Sequence, residues 1–318
     1  MEPIKLSPTF KDYLWGGVKL KTEFSKKSDL DIVAESWELS THKDGQSIVA
    51  SGADKGLTLS QYIEKYGDDV LGKNAEAFEY FPILIKLIDA KDNLSIQVHP
   101  NDEYALKNEG EYGKTEMWYI LDAEDGAGLY YGFKDTISKD EFKERIENNT
   151  LLEVLNRVPV KKGDVFFIPA GTVHAIGSGI LICEIQQNSN TTYRVYDYDR
   201  RDAQGNPRQL HIEKALEVSD LCPPPDICQN EKEQFDGYSA TNLAKCKYFT
   251  TDKICVSSSA TLSVTTDSFK ALNIVDGDGT LSMNETVLPL TKGDSIFIPA
   301  QDAEFTVSGK LDIICSYV

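Results

Sequence analysis

An internal repeat is the feature of the sequence that most restricts its fold. The segments "KKGDVFFIPAGTVHAI" and "TKGDSIFIPAQDAEFTV" align without a gap, with Gly163 matching Gly293 and Pro169 matching Pro299. Because both segments share a turn glycine, a short apolar run and a proline, they predict two copies of one β-unit in tandem. The alternative is a common turn-and-strand pattern that arose twice independently.

The rest of the chain also favours strands over helices. Short segments rich in β-branched and aromatic residues, such as "FPILIKLID", "MWYIL" and "ILICEIQ", are separated by Gly, Asp and Asn. Helices are predicted at 58–72, after His211, and at 138–156, where Ser138 precedes Glu141 as in a capping box. Many short strands with few helices predict a mainly β chain folded as a sandwich or as barrels.

The two copies of the repeat differ at a position that matters for chemistry, because His174 in the first copy becomes Glu304 in the second. A duplicated unit that keeps the histidine in one copy indicates one working site and one structural partner. We predict a catalytic domain at 1–235, with the N-terminal segment and a short helical insertion, and a smaller degenerate domain at 236–318. The Pro- and acid-rich segment "CPPPDICQNEKEQFDGY" would separate them.

The charge of the chain restricts its partners. A formal net charge of −18 argues against binding to nucleic acid or to an anionic membrane surface. No apolar run approaches the roughly 18 residues of a membrane span. The N-terminal residues have no features of a secretory signal, and the six cysteines form no CxxC pair, so we expect reduced thiols and a cytoplasmic protein. A small anionic substrate would require a local group of cations.

The stretch "SIQVHP" places polar side chains on one face of an apolar strand. Residues two apart project from the same face, so Ser95, Gln97 and His99 would point one way, and Ile96 and Val98 the other. A glutamine and a histidine that share a face in this way indicate a site whose remaining residues come from elsewhere in the chain.

The first copy of the repeat supplies such a residue. Its pattern G-x5-P-x-G-x2-H, which ends at His174, resembles the second motif of the cupin superfamily. Cupins are double-stranded β-barrels (jelly rolls) that hold a metal in the barrel mouth. Their first motif has His-x-His and then Glu, and the matching residues here are Gln97, His99 and Glu116. The resemblance implies tandem cupin-type barrels, the second degenerate, and a metal held by these four residues.

The chemistry of this ligand set favours zinc, one ion per chain. Two imidazoles, an amide oxygen and a carboxylate are ligands that zinc binds at about 2.0–2.2 Å. The set carries a single negative charge, so the bound ion would stay positive and act as a Lewis acid. No cysteine takes part, which favours a catalytic over a closed structural site. The other histidines, His42 and His211, are predicted to be ordinary structural residues.

Longer segments resemble type I mannose-6-phosphate isomerases in their short bacterial form. The segments "KLIDAKDNLSIQVHPND", "GKTEMW" and "HAIGSGILICEIQQNSNTTYRVYDYD" are similar to the family's site segments, and "LWGG" and "AESWELSTH" to its opening. The helical domain that long members insert between the positions of Glu116 and His174 is absent. The family's Asp-Asn and Arg-Ala-Gly appear here as Asn190-Thr191 and as "RVY" at 194–196, which bears on substrate preference more than on reaction type.

This resemblance implies reversible interconversion of mannose 6-phosphate and fructose 6-phosphate through an enediol or enediolate. It implies that Glu184, Lys114 and Arg194 are catalytic and that Lys86, Ser95 and Arg194 bind the phosphate. Glu184 is the expected base, because a carboxylate within "ILICEIQ" is costly unless it is paired or protonated. A water on the metal or Lys114 is the alternative base, and an ion pair with Arg194 is the alternative role for Glu184. Arg194 could instead bind the enediolate oxygen.

Two other functions fit the same pattern. A cupin could act on another phosphosugar or, with iron or manganese, as a dioxygenase. A tandem cupin could also be a sugar-binding protein without activity, although retention of the ligand set with Glu184 and Arg194 argues against this. The expected partner is a small phosphosugar, and the expected assembly is a monomer or a weak homodimer.

Overall fold

The computed structural model describes residues 1–201, 204–224 and 231–318. The middle of the segment predicted to separate two domains, together with Cys228, lies outside the described residues. The other five cysteines are free thiols. Within the described ranges, no helix is long and apolar enough to cross a membrane.

Helices are short and few in the described part of the chain. The α-helices are α1 (Lys19–Thr22), α2 (Leu59–Tyr66), α3 (Asp102–Asn108), α4 (Lys139–Glu147) and α5 (Ile212–Val218), and 3-10 turns cover Asp68–Val70, Lys73–Ala77 and Leu151–Glu153. The three predicted helices are present as α2, α4 and α5. The Ser138 hydroxyl caps α4 by accepting the N–H of Glu141 at 3.1 Å. This helix is shorter than predicted because Asn149 adopts a positive φ of 56°, after which the 3-10 turn at Leu151–Glu153 leads into a strand.

Strands make up most of the regular structure, which confirms the prediction of a mainly β chain. In chain order they are β1 (Ile4–Ser7), β2 (Thr9–Lys11), β3 (Glu35–Leu39), β4 (Ile48–Val49), β5 (Ile83–Ala90), β6 (Ile96–Val98), β7 (Glu116–Ala123), β8 (Gly128–Phe133), β9 (Leu155–Pro159), β10 (Val165–Ile168), β11 (His174–Ala175), β12 (Ile180–Gln187), β13 (Tyr193–Tyr196), β14 (Lys232–Gln234), β15 (Tyr238–Lys245), β16 (Thr250–Val256), β17 (Ser259–Val264), β18 (Lys270–Met283), β19 (Thr286–Thr291), β20 (Ser295–Ile298) and β21 (Ala303–Tyr317).

The chain forms two compact units that are not simple consecutive segments. Unit 1 contains 1–12, 18–87 and 228–318, and unit 2 contains 13–17 and 88–227, so the division falls within β5. These units divide the chain differently from the ranges 1–235 and 236–318. The assignment of a catalytic and an accessory function to those two ranges stays a prediction.

Unit 1 is built on one large sheet. Its strands follow the order β14-β15-β16-β21-β18-β20-β1-β4, with β17 also paired to β21 and β19 to β18. Side chains from the strands of this sheet form an apolar core that includes Leu272, Phe305 and Ile313, each at most 2% exposed. Strand β1 pairs with β20 from the opposite end of the sequence, with Ile4 opposite Phe297.

Unit 2 contains a five-stranded sheet and a second group of paired strands. The sheet has the order β13-β6-β11-β8-β9. In the second group, β7 pairs antiparallel with β10 on one side and with β12 on the other. Ile96 and Val98 of β6 are completely buried in the core of this unit, whereas Gln97 between them is partly exposed, as the alternation in the sequence predicted.

The repeat forms the same local structure twice. Gly163 and Gly293 have φ of +94° and +96°, which is the left-handed region that favours glycine. Their N–H groups donate to the carbonyls of Ile120 at 2.9 Å and Ile274 at 2.8 Å. In each copy the strand after this glycine then pairs with the strand that holds that isoleucine, β10 with β7 and β20 with β18. This shared hydrogen bonding supports duplication over an accidental pattern.

The structural correspondence shows how the second copy has changed. Glu116 lies opposite Ile168 in the first copy, and Lys270 lies opposite the equivalent Ile298 in the second. Glu184 lies opposite Trp118, whereas Cys315 lies opposite the equivalent leucine. Cys315 is buried, and burial raises the pKa of its thiol to about 12. A lysine and a neutral thiol at these positions give the second copy a different chemistry from the first.

Candidate metal centre

Unit 2 brings the predicted ligands together from three strands and a strand end. Gln97 lies on β6, His99 directly follows it, and Glu116 and His174 are the first residues of β7 and β11. In the five-stranded sheet, Gln97 lies opposite His174 on one side and opposite Arg194 on the other. Residues directly opposite each other share a face of the sheet, so these three side chains form a row.

Three of the predicted ligands form a buried cluster. His174 Nε2 lies 3.2 Å from Glu116 Oε1, and His99 Nε2 lies 3.7 Å from Glu116 Oε2. One ligand atom from each residue lies within 4.8 Å of the others, and all three residues are at most 1% exposed. Among the described residues, this is the group of His, Cys, Asp and Glu side chains that is close enough to share one metal ion.

The backbone orients both imidazoles towards the centre of the cluster. His99 Nδ1 lies 2.9 Å from the carbonyl oxygen of Thr191, and His174 Nδ1 lies 2.8 Å from that of Thr172. A carbonyl oxygen can only accept, so both Nδ1 atoms carry a proton, and in the neutral form of each ring Nε2 is the atom with the lone pair. Nε2 of His174 is buried and has no hydrogen-bond partner in the part of the chain that the structure describes. A metal ion would satisfy this atom.

Lys114 supplies a positive charge beside the cluster. Its Nζ lies 2.9 Å from Glu116 Oε2 and 3.2 Å from His99 Nε2. Burial opposes ionisation of Glu116, but the charge of Lys114 is the main effect against burial, and the pKa of Glu116 is held well below the usual value. Burial and Lys114 also hold the pKa of His99 well below its usual value. A carboxylate and a neutral imidazole are the forms that bind metal.

A hydrogen-bond network holds the backbone around Lys114, and no sequence motif indicated it. Asp102 Oδ1 accepts from the N–H of Gly113 at 2.9 Å and from Gln187 Nε2 at 2.8 Å. Gln187 Oε1 in turn accepts the N–H of Thr115 at 2.9 Å. The backbone on both sides of Lys114 is therefore fixed by two side chains whose roles no motif indicated.

Glu184 lies on β12 close to the cluster. Its Oε2 accepts a hydrogen bond from Trp118 Nε1 at 2.9 Å, and its Oε1 lies 3.9 Å from Lys114 Nζ. The Trp118 ring contacts the His174 ring edge-on, with centroids 5.3 Å apart. The predicted base is therefore a buried carboxylate with one oxygen held by an indole and the other facing an ammonium group. Its function as a base stays a prediction.

Two of the residues predicted to bind phosphate, Arg194 and Ser95, contact each other. Arg194 Nε donates to Ser95 Oγ at 3.2 Å. Burial and the nearby Arg208 lower the pKa of Arg194. Asp197 accepts hydrogen bonds from both Arg200 and Arg208, and the sequence analysis assigned no role to these three residues. Three arginines, Arg194, Arg200 and Arg208, therefore lie near one another. Asp197 partly neutralises the charge of Arg200 and Arg208.

Lys86 has an anionic partner within unit 1. It is 3% exposed, and its Nζ lies 3.6 Å from Glu35 Oε2 and 5.0 Å above the Trp37 ring. Glu35 Oε2 also accepts from Trp37 Nε1 at 2.7 Å. The family resemblance implied that Lys86 binds the substrate phosphate, and the carboxylate of Glu35 is an anion already beside its ammonium group. The phosphate-binding role of Lys86 stays a prediction.

The donor set fits a divalent metal ion. It offers two imidazoles and one carboxylate from a buried cluster, with the amide of Gln97 in the same row as His174. Zinc-binding histidines typically donate from one ring nitrogen to a backbone carbonyl, which orients the other nitrogen towards the metal. Such a site can polarise a bound oxygen, and the adjacent Lys114 and Glu184 can stabilise charge and move a proton.

Comparison with known proteins gives two family matches. A family model described as the catalytic domain of type I phosphomannose isomerase matches residues 4–126. A second, described as the cupin domain of mannose-6-phosphate isomerase, matches residues 239–318. The second match confirms the prediction of a cupin-type fold in the C-terminal copy of the repeat.

Similar proteins match along their whole length. Mannose-6-phosphate isomerase ManA of Bacillus subtilis is 42% identical over 100% of this chain and 99% of its own length. Mannose-6-phosphate isomerase of Streptococcus mutans is 37% identical over 99% and 98% of the two chains. A crystal structure of mannose 6-phosphate isomerase from Bacillus subtilis superposes over the whole of both chains with a TM-score of 0.93, at 37% identity.

Proposed function

This chain belongs to the type I phosphomannose isomerase family, and from that membership we propose that it interconverts mannose 6-phosphate and fructose 6-phosphate. The observation that carries this proposal is the full-length similarity to named isomerases, together with the buried cluster of His99, Glu116 and His174. An aldose–ketose isomerisation of this kind needs an electrophile, a base and an anchor for the phosphate. The residues of unit 2 offer a candidate for each.

Gln97, His99, Glu116 and His174 are the residues that would hold one zinc ion per chain. When bound, zinc would supply an electrophile that polarises the sugar carbonyl and stabilises negative charge on the enediolate oxygens. The low pKa values of His99 and Glu116 support this, since a neutral imidazole and a carboxylate are the forms that bind a cation.

Glu184 would move the proton between the two carbons. It removes the proton from C2 of the aldose, the hydroxyl proton on O2 moves to O1, and the same carboxyl returns its proton to C1. The hydrogen bond from Trp118 to Oε2 leaves Oε1 as the oxygen for this transfer. Lys114, with Nζ at 3.9 Å from Oε1, would stabilise the negative oxygen of the enediolate.

Arg194 and Ser95 would bind the substrate phosphate. A guanidinium can donate two parallel hydrogen bonds to a phosphate, and the serine hydroxyl that it contacts can donate a third. Arg194 lies in the same sheet as Gln97 and His174, and Ser95 directly precedes β6, so a phosphosugar anchored there would have its reacting carbons directed towards the metal ligands. A local anchor of this kind is required in a chain with a net charge of −18.

Isomerase activity and zinc dependence can be tested in one assay. Purified protein would be given mannose 6-phosphate, and fructose 6-phosphate formation would be followed before chelation, after chelation and after zinc is added back. We expect activity to disappear with the chelator and to return with zinc. Activity that survives removal of all metal would contradict the zinc mechanism. Zinc-loaded protein without activity would instead favour another phosphosugar or a sugar-binding function.

Replacing Lys86 by methionine tests its predicted phosphate contact. We expect the KM for mannose 6-phosphate to rise by about tenfold or more, because a hydrogen bond to a charged group is lost. Lys26→Met is the matched control, since Lys26 is also buried and forms an ion pair with Glu38 at 2.6 Å. It should lower stability without raising KM. An unchanged KM in Lys86→Met would leave Glu35 as the sole reason for the buried lysine.

We also propose that the enzyme acts in the cytoplasm on a free phosphosugar, as a monomer or weak homodimer. The free thiols of its five described cysteines support a reducing compartment. Light scattering over a range of protein concentrations would determine the assembly.

A further inference from the structure

His211 binds both backbone polar groups of Arg194. Its own N–H donates to the Arg194 carbonyl at 2.8 Å, and its Nδ1 accepts the Arg194 N–H at 3.2 Å. Arg194 lies on β13, which pairs with β6 and is the outer strand of the five-stranded sheet. His211 thus satisfies the backbone groups at the outer edge of β13, as a neighbouring strand would. The residue whose backbone it satisfies is the one proposed to bind phosphate.

The guanidinium of Arg194 is held by the same segment. Its Nη1 donates to the carbonyl of Gln209 at 3.0 Å, two residues before His211 in the sequence, and its Nε donates to Ser95. The 209–211 segment therefore fixes both ends of Arg194, the backbone through His211 and the side chain through Gln209. Loss of the His211 contact would loosen both, because the two contacts come from one short stretch of chain.

The imidazole of His211 is itself held in place. It packs near the Tyr193 ring, with centroids 6.1 Å apart. The Tyr193 hydroxyl donates to Glu109 Oε1 at 2.7 Å, and Lys214 of α5 donates to the same oxygen at 2.5 Å. Burial, Arg194 and Lys214 lower the pKa of His211, so the neutral ring that can accept a hydrogen bond is favoured. These contacts are those of a structural histidine, as the sequence predicted, and they fix the His211 ring beside Arg194.

We propose that His211 is a positioning residue for Arg194, which fixes the direction of the guanidinium towards the phosphate of the substrate. This inference rests on the proposed function of Arg194. A guanidinium that is shifted by about 1 Å can cost on the order of 100-fold in rate, even when the residue that moved it touches no substrate. His211 should therefore influence catalysis through Arg194 alone.

Two variants separate this role from a general structural one. His211→Ala removes the acceptor, whereas His211→Asn retains an oxygen at about the position of Nδ1. We expect His211→Ala to lower kcat/KM for mannose 6-phosphate by about tenfold or more, mainly through KM, with metal content unchanged. His211→Asn should recover most of this loss. Glu213→Ala is the matched control, because Glu213 lies two residues after His211, in the first turn of α5, in an exposed ion pair with Lys143, and its replacement should have no effect.

A double-mutant cycle with Arg194→Ala gives the decisive result. If His211 acts through Arg194, adding His211→Ala to Arg194→Ala should cause no further loss of kcat/KM. A full additional loss, or failure of His211→Asn to recover activity, would contradict the positioning role. An Arg194→Ala variant with normal KM and kcat would instead show that the proposed use of Arg194 is wrong. The two failures are therefore distinguishable.

Discussion

Replacing His174 by alanine is expected to remove the bound metal and to lower kcat for mannose 6-phosphate by about a thousandfold. His174 is completely buried, its Nδ1 is fixed on the Thr172 carbonyl, and its Nε2 faces Glu116. Without this ligand, one imidazole, one carboxylate and one amide remain, and loss of the electrophile removes several kcal/mol of transition-state stabilisation. The measurements are metal content, by mass spectrometry, and kcat for fructose 6-phosphate formation.

The repeat provides the matched control for this variant. Glu304 occupies the position of His174 in the second copy, where it pairs across the sheet with Ser263. Glu304→Ala should leave metal content and kcat unchanged. A melting temperature for each variant shows whether His174→Ala is folded, and Glu116→Gln provides a second ligand variant of nearly the same shape. Stoichiometric metal with normal affinity in both ligand variants would show that the cluster is not the metal site.

Replacing Glu184 by glutamine is expected to lower kcat by about 100- to 10,000-fold, the range that a positioned base contributes. Glutamine has the same shape, so the hydrogen bond from Trp118 can persist, but its amide cannot accept the C2 proton. Metal content and KM should change little, because Glu184 is not among the predicted ligands. Exchange of the substrate C2 proton with solvent deuterium, followed by NMR, measures the affected step directly.

Two further variants test the assignment of the base. Trp118→Phe removes the donor that orients Glu184 and should cause a smaller loss of kcat than Glu184→Gln. Lys114→Met should slow isomerisation but still permit C2 exchange if Lys114 only stabilises the enediolate. Normal exchange in Glu184→Gln, together with loss of exchange in Lys114→Met, would transfer the role of base to Lys114.

The fold could be predicted as far as its signals are local. Turn glycines, capping residues such as Ser138 and the alternation around Gln97 each act over a few residues, so the strands, α4 and the repeat were accessible from the sequence. The pairing of strands could not be predicted in the same way, because a two-residue period states which face is buried but not which strand lies beside it. The two discontinuous units depend on such pairings, for example Ile4 opposite Phe297.

The candidate site shows the same limit. His99, Glu116 and His174 were identifiable because they occupy motif positions, and the structure brings them together. Residues that act by holding a distant backbone carry no such signal. Asp102 reaches the N–H of Gly113, and His211 reaches that of Arg194, through contacts that no periodicity records. Lys86 shows a related limit, because no motif indicated that Glu35 lies beside its buried charge, and its phosphate contact stays a prediction.

The position of β1 between β20 and β4 has a consequence for how the chain can fold as it is synthesised. Residues 88–227, which make up nearly all of unit 2, are complete before any of β20 exists, so this unit can form early. Strand β1 can pair with β4 early in synthesis. Its other edge stays unpaired until residues 295–298 of β20 have been synthesised, almost 300 residues later. Such long-range pairing is slow, and an unpaired strand edge is prone to pair with other chains. In a nascent chain of this protein, the edge of β1 that later pairs with β20 is therefore a site exposed to aggregation.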